Sequence, residues 1–142
     1  MMIGLMHSHK YLGYLLFLLL LLTAVLVATG ATRNPGLARI ADRLHRLGAM
    51  NLGRLEIVLG VATLAAMADT AGAPWWRPSL WAGLLLWGPI EPIAKRLVHA
   101  ELARACAGEP ANRGRLLAGI GLEVVLITAI IGLMTMTRLG KL

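Results

Sequence analysis

One cysteine, one phenylalanine and seven acidic residues in 142 set the first limits on this chain. Cys106 alone cannot close a disulfide within the chain, and its place among basic residues leaves the redox compartment open. There is no Cys pair, nucleophile elbow, phosphate-binding glycine loop or zinc-protease motif, so an enzyme is the less expected class. No fixed-length repeat is present, and the Leu-rich stretch near the N-terminus is the one low-complexity segment. Charged residues make up only 15% of the chain against 58% hydrophobic ones. With a mean hydropathy of +0.72, too little polar surface remains to coat a soluble globule of this size.

What is present is apolar sequence gathered into long blocks. Tyr11 to Ala31 carries no charge over 21 residues, enough at about 1.5 Å per residue to cover a hydrocarbon core of roughly 30 Å. Ala28-Thr29-Gly30 loosely resembles a signal-peptide cleavage site, but the run is long for a signal and the greater charge follows it, so it reads as a retained helix. Three further spans are expected, at about 47–68, 79–99 and 116–137. The third is short and polar, and the turns at Asn34-Pro35-Gly36 and Gly108-Glu109-Pro110 mark loops. The expected fold is all-α: a single domain over 1–142, built as an integral membrane four-helix bundle.

Orientation follows from the basic residues. Arg33, Arg39, Arg43 and Arg46 lie in the loop after the first span, and Lys95, Arg96, Arg104, Arg113 and Arg115 in the loop after the third. The other side holds Lys10, Arg77, Arg138 and Lys141, and nine against four places the richer loops in the cytoplasm and both termini outside. The chain is thus expected to be multi-pass in the inner membrane, against anionic inner-leaflet lipids. Trp75, Trp76 and Trp81 then fall at the outer interface. Basic residues set beside apolar blocks are explained by headgroups, so nucleic acid is not an expected partner. Leu37, Ile40, Ala41, Leu44 and Leu47 recur at helical spacing opposite Arg39, Arg43 and Arg46, predicting a basic amphipathic helix lying on the inner leaflet.

Polar residues inside the spans are the candidate site. Glu56 lies eight residues into the second span from Gly48, Glu123 eight residues into the fourth from Arg115, and Glu91 eight residues before His99. All three carboxylates are therefore expected in one layer about 12 Å deep, with Arg54 and Asn51 close to it. Charges at such depth face the bundle interior and pair or protonate. Glu56 shares a face with Gly53, Gly60 and Thr63, a small-residue stripe that permits close helix approach. Pro89 and Pro92 leave the carbonyls of Leu85 and Gly88 without helical partners beside Glu91. This cluster points to cation or proton handling, or to polar glue within the bundle or toward a partner in a homo-oligomer or larger membrane complex. His45 and His99, at matched depth near the cytoplasmic boundary, are candidate axial ligands for a b-type haem. On the outer side, Met6, His7, His9, Met67, Met134 and Met136 form a thioether and imidazole set suited to copper.

Two resemblances add to this reading. Trp81-Ala82-Gly83-Leu84-Leu85-Leu86 entering the third span, a basic loop, Arg113-Gly114-Arg115 and then Glu123 resemble the copper-resistance D-type membrane family, which implies copper handling in the inner membrane. No paired metal-binding histidine motif of that family maps onto this chain. Arg43, His45, Asn51 and Glu56 follow the order, at wider spacing, of the second-helix pattern of the membrane-bound eicosanoid and glutathione enzymes, which implies glutathione chemistry.

Overall fold

The computed structural model describes residues 2–71 and 78–138, with side-chain surroundings for 11–62, 65 and 81–133. Every element among them is helical, and the helices line up into four rods. The first is α1 (Met2–Leu26), ending in a widened, π-type turn Val27–Ala31. The second joins α2 (Pro35–Arg43), a π-helical stretch Leu44–Met50 and α3 (Asn51–Ala71). The third comprises α4 (Pro78–Trp87), α5 (Ile90–Ile93), a π-helical stretch Ala94–His99 and α6 (Ala100–Cys106). The fourth is α7 (Arg113–Arg138). Trp75, Trp76 and Arg77 lie outside the described residues.

Local chemistry sets the turns. Gly30 takes φ +132°, a conformation that side chains disfavour, and its carbonyl accepts the amides of Arg33 and Asn34 at 2.9 and 3.0 Å. Asn34 then caps α2, its Oδ1 accepting from the Gly36 and Leu37 amides, with Pro35 preset for the first turn. Gly108 at φ +77° ends α6, and Asn112 Oδ1 accepts the Arg115 amide at 2.9 Å to start α7. Pro89 and Pro92 of the third rod are absorbed by one break at residues 88–89. Pro92 falls in the first turn of α5, where an amide has no helical partner to lose.

Packing is that of an antiparallel ring. α1 lies against the second rod and α7, and α7 lies against the third rod. A Cβ on Gly48 would stand 3.0 Å from Leu19, one on Gly13 3.7 Å from Glu56, and one on Gly119 2.8 Å from Leu97. The ring is closed between the second and third rods by α2 on α6 and by large side chains. Trp87 there occupies the space over Gly53, where a Cβ would sit 1.8 Å from the indole. The small-residue stripe thus admits an indole at Gly53.

α2 does not lie apart as a surface helix. It runs without interruption into α3, burying Ala38 and Ala41, while Ile40 and Leu47 are exposed beside the arginines. The two alanines let α6 approach, and Leu37 packs against the same core cluster.

Outside the core, α1 and α7 present leucine and valine. Both are long and apolar enough to cross a membrane, over Tyr11–Ala31 and Arg113–Leu133.

Candidate functional site: a buried Glu–His–His chain

Two apolar clusters fill the bundle. One holds Leu20, Ala49, Ala94 and Ile127, the other Val27, Ala41, Val98 and Ile120. Between them, on three rods, stands a buried polar residue: Thr23 between Leu20 and Val27, His45 between Ala41 and Ala49, Glu123 between Ile120 and Ile127. Thr23 is satisfied locally, donating to the Leu19 carbonyl at 2.8 Å. His45 and Glu123 satisfy each other: His45 Nε2 and Glu123 Oε2 are 2.7 Å apart, both side chains at 0% exposure. The other nitrogen, His45 Nδ1, meets His99 Nε2 at 2.9 Å, with the rings edge to face.

Both histidines ride on π-helical stretches, His45 in Leu44–Met50 and His99 at the end of Ala94–His99. Such widenings insert a residue, re-aim side chains and leave carbonyls short of amide partners. Arginines reach those carbonyls. Arg113 Nη2 donates to Ala28 O at 2.9 Å, Arg46 Nη2 to His99 O at 3.4 Å, and Arg115 Nη2 to Arg96 O at 3.4 Å.

The donor and acceptor roles admit two assignments. An ionised Glu123 only accepts, so His45 donates from Nε2. A neutral His45 then accepts at Nδ1 from His99 Nε2–H. A doubly protonated His45 donates at both ends, and His99 Nε2 accepts. The two sets differ by one proton and keep both hydrogen bonds. Glu123 Oε1 is buried with no hydrogen-bond partner among the described residues. At the other end His99 is partly exposed, with Arg46, Asp42 and Glu91 as its charged neighbours beyond His45.

The haem assignment does not fit this geometry. Two axial bonds of roughly 2 Å in line hold their nitrogens about 4 Å apart with the metal between. Here the facing nitrogens are in direct contact, and both nitrogens of His45 are engaged. Met6, His7, His9, Met67, Met134 and Met136 lie outside the residues whose side chains are described. Among the described residues no three His, Cys, Asp or Glu side chains are placed to hold a metal ion. Burial pushes the Cys106 thiol up, away from a reactive thiolate.

The three carboxylates do not form one layer. Arg54 Nε and Nη2 donate to the two oxygens of Glu91 at 2.8 and 3.1 Å, with Lys95 at 3.8 Å and Asn51 Oδ1 3.5 Å from Arg54 Nη1. This ion cluster sits on the face between the second and third rods, with Arg54 55% exposed. Glu56 is buried against Gly13 of α1. Arg54 stands nine residues, about 13 Å, along its rod from His45. The layer holding Glu123 is therefore distinct from that of the Arg54–Glu91 pair. Arg43, His45, Asn51 and Glu56 likewise have separate surroundings, Arg43 and Asn51 being exposed.

Glu101 is a further buried carboxylate, one that no motif marks. Its Oε2 accepts the Asn112 amide at 2.9 Å, and its Oε1 lies 3.7 Å from Arg104 and 3.6 Å from Arg115. Comparison with protein-family models, curated proteins and solved structures finds no match to this chain.

Proposed function

We propose that this is a multi-pass inner-membrane protein that handles protons, taking one from the cytoplasmic loop side onto Glu123 through His99 and His45. The reading is carried by the 2.7 and 2.9 Å bonds of the Glu123–His45–His99 chain, whose Glu123 and His45 are closed to solvent while His99 at its outer end is partly exposed. Membrane residence is supported by the two apolar windows, of which only 22% and 28% are buried inside the bundle. A soluble core helix of that hydropathy hides most of its surface. Glu123 is the middle residue of Arg113–Leu133, ten residues or about 15 Å from either end. An ionisable group at that depth, paired and inward-facing, is the common form of a membrane proton relay.

The transfer balances atom by atom. A proton arriving at His99 Nδ1 allows His99 Nε2 to pass its own proton to His45 Nδ1, and His45 Nε2 to pass its proton to Glu123 Oε2. The products are a neutral glutamic acid and two histidines in the opposite tautomer. Return of the chain to its starting state needs release of the Glu123 proton and reversal of the tautomers.

The test is proton uptake by liposomes containing the purified protein, driven by a potassium diffusion potential and read with an internal pH dye. Wild type is expected to acidify the lumen faster than empty vesicles. Glu123→Gln, which keeps a side-chain oxygen for His45, is expected to lower that rate roughly tenfold or more, in the range of lost acid–base groups. Wild-type flux equal to empty vesicles, or undiminished flux in the variant, overturns the proposal.

A second reading, a subunit of a homo-oligomer or larger membrane complex, is favoured by the Arg54–Glu91–Lys95 cluster. Arg54 and Lys95 are 55% and 69% exposed, and charges facing lipid within a span cost several kcal/mol. An assembly covering that face is expected to dissociate in the Arg54→Ala variant, measured by light scattering of detergent-solubilised protein. A wild type that is monomeric at all concentrations rejects this reading.

A further inference from the structure

Between the end of α1 and the start of α7 lies a cavity of about 290 Å³, lined by Ala28, Thr29, Gly30, Arg33, Asn34 and Arg113 among others, none of them acidic. A second cavity of about 390 Å³ adjoins it, shares Thr32 and Arg33, and is also lined by Glu109. Arg113 is held in place by its bond to Ala28 O. Gly30 leaves open space where a side chain would stand. Two guanidiniums thus face one cleft, and Arg33 has no carboxylate partner among the described residues. The wall of the cleft formed by Ala28 and Thr29 continues along α1 into Val25, Leu22 and Leu18, exposed by 56%, 43% and 51%. Spaced three and four apart, they form one apolar strip that ends at the cationic cleft.

We infer that this cleft binds the phosphate of an acidic phospholipid, with an acyl chain along Leu18, Leu22 and Val25. The inference rests on membrane residence but not on the proton relay. A free anion uses the two arginines and gains nothing from the strip, whereas a phospholipid meets both. Arg33 supplies an exposed charge, and Arg113 a pre-positioned donor fork suited to phosphate oxygens.

The experiment is native mass spectrometry of detergent-purified protein with phosphatidylglycerol, phosphatidylcholine, and phosphatidylglycerol plus excess inorganic phosphate. Wild type is expected to retain phosphatidylglycerol over phosphatidylcholine, and phosphate is expected not to displace it. Arg33→Gln, which breaks no side-chain bond among the described residues, is expected to lower retention roughly fivefold, and R33Q/R113Q further, as loss of basic groups at a lipid surface predicts. R39Q/R43Q removes as much charge from the exposed face of α2 and is expected to leave retention unchanged. Equal losses in the two double variants mean diffuse attraction and overturn the site. Displacement by phosphate means an anion site and overturns the lipid. Loss of lipid preference in a protein that still requires detergent rejects this inference alone. A protein monodisperse in plain buffer rejects membrane residence.

Discussion

Replacing His45 by alanine is expected to destabilise the bundle by about 3–5 kcal/mol, the range for leaving a buried carboxylate without its partner. His45 Nε2 is the donor to Glu123 Oε2, and Oε1 has no other donor among the described residues. Without the imidazole, the carboxylate stays in a solvent-excluded layer between two apolar clusters with no compensating group. His99 loses its partner in the same step, and the vacated ring volume adds a cavity cost. Glu123→Ala in the same background removes the stranded group, so the double variant H45A/E123A is expected to cost less than the sum of the two singles. H45F/E123L, which fills the space with apolar atoms, is expected to approach wild-type stability. A double-mutant cycle from thermal unfolding in detergent measures the coupling. A loss under about 1 kcal/mol for H45A, comparable to that expected for exposed pairs, rejects the buried pair. Arg54→Ala provides the contrast, because its partner Glu91 keeps Lys95 nearby.

Much of this architecture is legible in the sequence. The all-helical character and four rods follow from the apolar blocks, and the loops from Asn34-Pro35-Gly36 and Gly108-Glu109-Pro110. The matched positions of His45 and His99 are also legible, although the chemistry that joins them is a hydrogen bond. Register is what a single sequence withholds. Counting each carboxylate from the end of its own span gives Glu56, Glu91 and Glu123 one depth, which holds only if all spans begin at one level. In the structure α2 and α3 form one rod, and Gly48 opposite Leu19 places His45 beside the middle of the apolar stretch Tyr11–Ala31. His45 and Glu123 therefore meet, while Glu91 meets Arg54. The π-helical stretches are equally unreadable, because one extra residue per turn leaves no mark on composition or period. The apolar spacing of α2 includes Ala41 but not Ala38, although both are buried. Ala38 and Ala41 mark the buried face of α2, for the absence of bulk is what lets α6 come close.

Glu101 is the residue that this blindness to register hides most completely, and it carries the second large effect. It sits in Ala100-Glu101-Leu102-Ala103-Arg104, which reads as an exposed helical turn with a solvated charge. Packing of α2 on α6 instead buries the carboxylate to 1% exposure. There it accepts the Asn112 amide, just ahead of α7, while Arg104 and Arg115 stand on its other oxygen. Glu101→Ala is expected to cost about 2–3 kcal/mol, because a charged acceptor is lost and a partly buried amide is left without one. Glu101→Gln keeps the acceptor oxygen but not the charge, and is expected to cost about half as much. The loss is local in origin: residues 107–112 form the loop that aligns α7, so hydrogen exchange at Asn112 is expected to rise in E101A before the interior of α7 loosens. Since α7 carries Glu123, the same variant is expected to slow proton uptake by displacing the carboxylate from His45. E101Q is expected to restore most of that rate. Equal damage from both variants makes charge, and not the bond to Asn112, the decisive contribution.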